Sequence, residues 1–303
     1  MKNVYVDVLD EIKDAIAENQ PVVALESTVI AHGLPRPYNL DTAQRLQDIV
    51  RSNDAIPATI AILDGIVKIG LTNDELEQLA NADNVIKVSR RDFANVVTNK
   101  LTGATTVAST MIAASWAGIN IMATGGIGGV HRGSDLDVSA DLPEITRTSM
   151  IVVCSGAKAI LDLPATLEWL ETYGVPVVGY GVNELPAFYS QSSGILLDIK
   201  ADNALEVAEL WKNHNELGMS GGMLVTVPPP SKEALSSTEI EIAITSAIDD
   251  AVKHNVKGKH ITPYLLEKVK KFTKGDSLKV NMALLENNAY IAALISKSIS
   301  DTG

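Results

Sequence analysis

Residues capable of acid, base and nucleophilic chemistry are concentrated around one glycine-rich stretch of this chain. The segment Ala123-Thr-Gly-Gly-Ile-Gly-Gly-Val-His-Arg-Gly133 holds five glycines around one histidine and one arginine. Glycine lets the backbone approach a ligand closely, because it has no Cβ and adopts positive φ at little cost. An acidic run from Ser134 to Asp141 follows at once, and Ser155-Gly-Ala-Lys158 adds a lysine. These residue types serve as general acids, bases, metal ligands and nucleophiles, so the stretch predicts an active site.

The glycine spacing fits neither of the two common nucleotide-binding loops. In a G-x-G-x-x-G pattern begun at Gly126, the last glycine would fall on His131. No Gly-Lys-Ser/Thr follows to complete a Walker loop. A plain glycine turn between two strands is the alternative, but the charged residues within the stretch favour a site.

The acidic run could bind a metal ion. Asp135, Asp137 and Asp141 lie within seven residues and offer oxygen ligands to a hard divalent ion such as Mg²⁺ or Mn²⁺. Clustered aspartates are also typical of solvated turns. A zinc site is disfavoured, because the chain has one cysteine and five scattered histidines.

The amino-acid composition of the chain limits the kinds of partner it is expected to bind and indicates its cellular compartment. The formal net charge of −12 argues against nucleic acid, which requires a basic face. No stretch approaches the ~18 consecutive apolar residues of a membrane span, and the acidic first ten residues do not resemble a signal peptide. The single cysteine, Cys154, lies in an apolar run typical of a buried residue, which favours a reducing cytoplasm.

The elements that position these residues follow an alternating pattern. Short apolar runs alternate with amphipathic segments, which predicts the α/β class: a mostly parallel sheet flanked by helices, with a helical C-terminal third. An Asp64-Gly65 turn predicts a hairpin that interrupts the parallel order. Strands are predicted at Val22–Leu25, Thr59–Leu63, Val85–Val88, Ile119–Ala123, Ile151–Cys154, Val175–Val178 and Leu224–Val227.

Helices are predicted between and after these strands, at Asn39–Val50 and Thr72–Ala80, the latter opened by the capping box Thr72…Glu75. Apolar residues at helix spacing from Ile240 to Ala251 follow a second box, Ser236…Glu239, and a last helix is predicted over Leu278–Ile295. The proline-rich segment 228–232 is interpreted as a strand-to-helix loop, so that residues 1–303 form one domain.

Polar side chains follow several predicted strands at the carboxyl ends, where open α/β sheets bind ligands. Glu26 follows the first strand, Lys87 lies near the end of another, and Lys158 follows a third. Burial would raise the pKa of Glu26 and suit it to general acid work, and apolar surroundings would favour a neutral, nucleophilic Lys158. Gly103 to Thr110 predicts a helix start able to bind phosphate, or an ordinary threonine-capped helix.

These segments together resemble the pseudouridine-5′-phosphate glycosidases, in order and rough spacing from about Pro21 to the C-terminus. The matching text is Glu26-Ser-Thr-Val-Ile-Ala-His-Gly33, Lys87-Val-Ser-Arg-Arg-Asp92, Gly103-Ala-Thr-Thr-Val-Ala-Ser-Thr110, the glycine-rich stretch 123–133, Ser139-Ala-Asp141, Gly156-Ala-Lys158 and Asn281.

The resemblance implies reversible cleavage of the C–C glycosidic bond of pseudouridine 5′-phosphate to uracil and ribose 5-phosphate, in a cytoplasmic homotrimer that uses Mn²⁺. It further implies that Lys158 forms an imine with the opened ribose and that Glu26 transfers protons. Asp137 is the implied metal ligand, although the neighbouring Asp135 is a second candidate. The implied substrate contacts are Lys87, Thr106, Val107, His131, Ser139, Ala140, Asp141 and Asn281.

Two other functions stay open at this point. An N-glycoside hydrolase acting on nucleoside phosphates would use Lys158 only as a structural or phosphate-binding lysine. A sugar-phosphate binding protein would perform no reaction. Neither alternative breaks a C–C glycosidic bond, so pseudouridine 5′-phosphate distinguishes both from the glycosidase.

Overall fold

The computed structural model describes residues 4–133, 137–256 and 261–302, without the side chain of Pro263. The strands are β1 Val6–Val8, β2 Val22–Leu25, β3 Ile56–Leu63, β4 Ile66–Ile69, β5 Ile86–Val88, β6 Gly103–Thr105, β7 Ile121–Ala123, β8 Val130–His131, β9 Ile151–Cys154, β10 Leu161–Asp162, β11 Val177–Tyr180, β12 Ile199–Ala201 and β13 Met223–Thr226. The helices are α1 Asp10–Ala17, α2 Tyr38–Ser52, α3 Asn73–Asn81, α4 Phe93–Thr98, α5 Val107–Trp116, α6 Asp141–Ile145, α7 Leu163–Thr172, α8 Ala204–Glu216, α9 Ser237–Lys253, α10 Ile261–Phe272 and α11 Asp276–Thr302.

The described chain forms one large sheet, in the order β1-β4-β3-β2-β7-β9-β13-β11-β12. Strand β6 also pairs with β3, and β5 pairs with β6. The run from β3 through β2, β7, β9, β13 and β11 to β12 is parallel throughout. The predicted fold class is therefore confirmed. The predicted hairpin is confirmed as well, because β3 and β4 pair antiparallel around Asp64 and Gly65, both with positive φ as such tight turns require.

Helix ends confirm one predicted cap and contradict another. Thr72 Oγ1 accepts from the Glu75 N–H at 3.3 Å, and the Glu75 carboxylate accepts from the Thr72 N–H at 2.9 Å. The box predicted at Ser236 is wrong, since its side chain makes no cap hydrogen bond. The approach to α9 is held instead by Leu235, whose N–H donates to the Tyr189 carbonyl at 2.8 Å.

The helix predicted to start at Gly103 begins later. Residues 103–105 form strand β6, which pairs with β3 and β5, and α5 begins at Val107 behind Thr106. Packing explains the strand, because a Cβ on Gly103 would lie 2.5 Å from Val88 Cγ2. A residue without a side chain is what allows β6 to lie beside β5.

Helix α11 covers the centre of the sheet on one face. It packs against β2, β7 and β9 through buried small residues such as Ala289, Ala292 and Ala293, which allow a close approach. Cys154 is fully buried, and burial raises the pKa of its thiol to about 12, which confirms the buried interpretation. In the described part of the chain, no helix is both long and apolar enough to cross a membrane.

Candidate active site

The carboxyl ends of three neighbouring parallel strands form the base of the candidate site. Glu26 directly follows β2, the glycine-rich stretch follows β7, and the loop to Lys158 follows β9. A small cavity opens there. It is lined by Glu26, Thr28, Val29, His32, Gly33, Lys87, Gly125, Gly126, Lys158, Phe188, Thr262, Leu266, Asn281 and Leu285.

Backbone hydrogen bonds join the loop after β7 to the loop after β9. The Ser155 N–H donates to the Gly125 carbonyl at 2.9 Å, and the Lys158 N–H donates to the Ile127 carbonyl at 3.0 Å. Gly156 has a φ of +83°, and a Cβ there would lie 2.6 Å from the Pro186 carbonyl oxygen. Glycine at this position therefore allows the turn that brings Lys158 back over the glycine-rich stretch.

Glu26 is a buried carboxyl group, only 7% exposed. Burial raises its pKa, and the charge of Lys158 and a hydrogen bond donated by Thr124 Oγ1 partly oppose that rise. A carboxyl with a raised pKa keeps its proton to a higher pH than an ordinary carboxyl does, and it can therefore act as a general acid. This environment agrees with the one predicted for Glu26 from the sequence.

Two lysines face the same cavity from different strands. Lys87 on β5 is half-buried, and burial lowers its pKa, with a further decrease from the charge of Lys158. Lys158 is half-buried as well. Two lysines beside one buried carboxyl favour an anionic ligand, which suits a phosphorylated substrate.

Asp141 connects the start of α5 to the glycine-rich stretch. Its Oδ1 accepts from the Ala108 N–H at 3.0 Å and its Oδ2 accepts from the Gly128 N–H at 2.8 Å, and the residue is 6% exposed. Ser139 lies against the same glycine, since a Cβ on Gly128 would be 2.1 Å from Ser139 Oγ. Ala140 is exposed just before α6.

The first turn of α5 is partly capped from within. Thr106 Oγ1 accepts from the Ser109 N–H, and Ser109 Oγ accepts from the Thr106 N–H at 2.8 Å. With the Ala108 N–H occupied by Asp141, neither cap engages the N–H of Val107. These capping hydrogen bonds therefore leave the Val107 N–H available to a ligand.

His131 and Asp137 lie apart from the first cavity and line a second pocket between β8 and helices α9 and α10. The two residues are joined through the backbone, as the His131 N–H donates to the Asp137 carbonyl at 2.9 Å. Burial lowers the pKa of His131, while the Asp137 charge opposes this. The charges of both lysines of the first cavity also lower the pKa of His131.

The donor set around Asp137 suits a weakly held metal ion. Among the described residues no three metal-ligating side chains converge, and Asp135 lies outside the described residues. One carboxylate beside one imidazole fits an ion that keeps most of its water ligands, as Mg²⁺ and Mn²⁺ commonly do. The residues present are therefore compatible with such an ion at Asp137.

The structure adds three residues that the sequence patterns did not single out. Thr124 contacts Glu26, His32 lines the cavity, and Phe188 adopts a φ of +61° with its ring against Gly126. His32 lies in the motif that begins at Glu26, and its place in that motif could have indicated it from the sequence. Phe188 carries no local signal, because its role depends on a contact made across the fold.

Comparison with known proteins identifies the family. The family model described as indigoidine synthase A like protein matches residues 11–298. Pseudouridine-5′-phosphate glycosidases from Caldanaerobacter subterraneus and Geobacillus kaustophilus are 49% and 50% identical to this chain. The alignments cover 98% of both chains for the first, and 96% of this chain and 97% of the relative for the second. The chain belongs to the pseudouridine-5′-phosphate glycosidase family of enzymes.

Solved structures agree with this family assignment. The prealnumycin C-glycosynthase AlnA, solved in complex with ribulose 5-phosphate, superposes with a TM-score of 0.92 at 36% identity and covers 99% of this chain and 98% of its own. An indigoidine synthase A-like protein from Thermotoga maritima gives 0.90 at 35% identity with the same coverage. The fold and the family resemblance predicted from the sequence are both confirmed.

Proposed function

We propose that this protein reversibly cleaves the C–C glycosidic bond of pseudouridine 5′-phosphate to give uracil and ribose 5-phosphate. The observation that carries the proposal is the pairing of Glu26, a buried carboxyl whose pKa is raised by burial, with Lys158 on the wall of one cavity. The family assignment supports the same reaction, since the relatives are named for it. Lys87 in that cavity supplies a cation for the phosphate.

The bond to be broken explains why a lysine and an acid suit the task better than two carboxylates. A uracil carbon offers no heteroatom lone pair to protonate, so the usual glycosidase arrangement has little to act on. In the proposed reaction the Lys158 amine bonds to the anomeric carbon while the ring oxygen leaves with a proton from Glu26. The nitrogen lone pair then forms the imine as the C–C electron pair returns to uracil, which takes up a proton.

Hydrolysis completes the proposed cycle. Water adds to the imine carbon and releases ribose 5-phosphate as an aldehyde, which restores the Lys158 amine. The hydrogen bond from Thr124 orients the Glu26 carboxyl while it exchanges protons. The proton that Glu26 gives to the ring oxygen returns to it from the Lys158 nitrogen after that nitrogen has bonded to carbon. The proton that Glu26 then gives to uracil returns from the attacking water, so the complete cycle leaves Lys158 and Glu26 as they began and both act catalytically in either direction.

The remaining predicted residues are assigned to binding. Lys87 and the Val107 N–H are proposed to bind the phosphate, together with the Thr106 and Ser139-to-Asp141 segments that surround the start of α5. Asn281 is proposed to contact the base or ribose, since it lines the cavity. His131 is proposed to make a further contact from the adjoining pocket.

A divalent ion, proposed to be Mn²⁺, would be held by Asp137. When bound, it would supply positive charge and ordered waters near the substrate. The chain itself would hold this ion through one carboxylate and position that carboxylate through the backbone bond from His131.

Direct synthesis tests the function. The protein incubated with ribose 5-phosphate, uracil and Mn²⁺ should form pseudouridine 5′-phosphate. Borohydride added with ribose 5-phosphate alone should attach one sugar phosphate to the peptide that contains Lys158, and Lys158→Ala should abolish both results. An active enzyme without an adduct would refute the imine, and inertness toward pseudouridine 5′-phosphate would favour the N-glycoside hydrolase or the binding protein.

We also propose that the enzyme is a cytoplasmic homotrimer. The cytoplasmic location agrees with a fully buried free cysteine. Sedimentation velocity at several concentrations tests the assembly, for which a single species of about three times the 32.2 kDa chain mass is expected.

A further inference from the structure

A buried amide on α11 lies behind the candidate site. Asn288 is 0% exposed, and its side chain contacts the loop after β7, whose Thr124 bonds to Glu26, and the loop after β9, which carries Lys158. Its Nδ2 donates to the Thr124 carbonyl at 2.8 Å and to the Gly125 carbonyl at 3.4 Å. Ser155 Oγ lies 3.1 Å from Nδ2 and 3.3 Å from Oδ1, so both polar atoms of the amide have partners.

Two of these partners are linked to the proposed reacting groups, Thr124 by a hydrogen bond and Ser155 through the chain. Thr124 donates its hydroxyl to Glu26, and Ser155 begins the turn that ends at Lys158. The Gly125 carbonyl that accepts from Asn288 also accepts from the Ser155 N–H at 2.9 Å. Asn288 therefore adds side-chain hydrogen bonds at the place where the backbones of the two loops are already bonded to each other.

An apolar side chain would otherwise be expected at this position. The neighbouring buried residues of α11, including Leu284, Leu285 and Ala289, are apolar, and an amide placed among them is costly unless its hydrogen bonds are made. Here the bonds are made to two loop carbonyls and one hydroxyl rather than to helix or strand backbone. The amide thus specifies the relative position of the two loops.

We propose that Asn288 is a positioning residue: by bonding to Thr124 on one loop and Ser155 on the other, it holds Glu26 and Lys158 at the separation that their reaction requires. The inference rests on the function proposed above. Asn288 is not one of the described residues that line the cavity, so it acts through its partners rather than on substrate.

The same helix provides a matched control. Ser296 is 4% exposed, and its Oγ donates to the Val22 carbonyl at 3.2 Å, at the end of β2 remote from Glu26. Asn288→Ala and Ser296→Ala each remove a buried side-chain hydrogen bond between α11 and the sheet region. Both substitutions should lower the melting temperature, but only Asn288 lies behind the proposed reacting groups.

The experiment compares kcat, KM, the rate of borohydride trapping at Lys158 and amide hydrogen exchange. Asn288→Ala should lower kcat and the trapping rate by about tenfold or more, because small misplacements of reacting groups are costly. KM for pseudouridine 5′-phosphate should change by less than about threefold, since the phosphate contacts are untouched. The amides of Ser155 and Lys158 should exchange faster, while Ser296→Ala should change neither catalysis nor these amides.

Two further variants keep the test decisive. Asn288→Asp preserves shape but loses both donors to the loop carbonyls, so it should resemble Asn288→Ala. Ser155→Ala, which retains the carbonyl bonds, should slow trapping in the same direction by a smaller factor and serves if Asn288→Ala does not fold. Wild-type trapping rates in Ser155→Ala and in a folded Asn288 variant would overturn the proposal.

The outcome is separable from the proposed function. If the wild-type protein forms no sugar adduct, the imine function fails. Hydrogen exchange still decides the positioning claim in that case, because equal exchange of the Ser155 and Lys158 amides in Asn288→Ala and Ser296→Ala would overturn it.

Discussion

At the scale of single residues, the proposed chemistry depends on one acid and two amines that line the same cavity. Glu26 is buried enough for its pKa to rise despite Lys158 and Lys87 nearby, and Lys87 is buried enough for its pKa to fall. Each shift brings a group nearer to the pH at which it can exchange protons. A carboxyl whose pKa is raised keeps its proton to a higher pH and can give it to the substrate, which is the role proposed for Glu26.

Glu26→Gln tests the acid. Loss of a general acid typically costs about 10²- to 10⁴-fold, so kcat should fall by that order. Because the pKa of Glu26 is raised by folding, the folded protein binds the proton more tightly, and its carboxyl costs stability as pH rises above the unfolded value of about 4.3. The melting temperature of Glu26→Gln relative to wild type should therefore be higher at pH 8 than at pH 5. A difference that does not vary with pH would contradict the raised pKa.

Lys87→Ala tests the phosphate contact. Charge-assisted hydrogen bonds contribute about 1.5–3 kcal/mol each, whereas uracil offers mostly neutral ones. Removal of the phosphate should cost the wild-type enzyme about 100-fold or more in kcat/KM, and Lys87→Ala should lose much of that preference. The measurement is kcat/KM for pseudouridine and for its 5′-phosphate with both proteins. Equal wild-type activity on the two substrates would refute phosphate-driven binding.

Asp137→Ala tests the metal ligand. A hard cation loses its anionic ligand, so the Mn²⁺ concentration that gives half-maximal activity should rise by about tenfold or more. Direct Mn²⁺ titration followed by electron paramagnetic resonance gives a readout that does not require turnover. Asp135→Ala is the matched control, and a shift in that variant alone would move the ligand to the neighbouring carboxylate.

Residue types and order in the sequence predicted much of this site. Glu26, Lys87 and Lys158 line one cavity, as expected from strands that end at a common edge, and Asn281 on α11, which the resemblance implied, lines it as well. Thr124 and Asn288 were not predicted, because their importance arises from contacts between residues 98 and 164 positions apart in the chain. The first contact depends on the pairing of β2 with β7 and the second on how α11 lies across the sheet, and periodicity alone determines neither.

At the scale of elements, the glycine-rich stretch works by close packing as much as by backbone freedom. Gly128 lies against Ser139 and donates its N–H to Asp141, which also binds the start of α5. The long strands and helices were predictable because their apolar patterns are regular. The short strands β1, β6, β8, β10 and β12 were not predicted, since two or three residues carry no period.

Gly128→Ala tests the packing of this stretch. The new Cβ would lie 2.1 Å from Ser139 Oγ and 2.9 Å from Asp141 Oδ2, so overpacking should cost about 1–3 kcal/mol in the free energy of unfolding. Displacement of Ser139 and Asp141 should also raise KM for the phosphorylated substrate. Added Ser139→Gly should recover part of the stability, which denaturant titration of the double-mutant cycle measures. No recovery would place the strain elsewhere.

At the scale of the whole molecule, the helical last third completes the core. The largest cluster of buried apolar residues runs from Ile12 in α1 through the sheet to Ile295 in α11. The proline-rich segment 228–232 therefore joins parts that share one interior. This arrangement supports the proposal that residues 1–303 form a single domain.

Cooperative unfolding tests that proposal. Because α11 covers β2, β7 and β9, the sheet and the terminal helices should unfold together, so far-ultraviolet circular dichroism and tryptophan fluorescence should report coincident denaturant transitions. Trp116, Trp169 and Trp211 all precede the proline-rich segment and report on the α/β part, while the circular dichroism includes α9 to α11. A chain that ends at residue 230 should fail to give the native fluorescence, because the buried face of the sheet would be uncovered. Separate transitions, or a folded truncated chain, would divide the molecule into two domains.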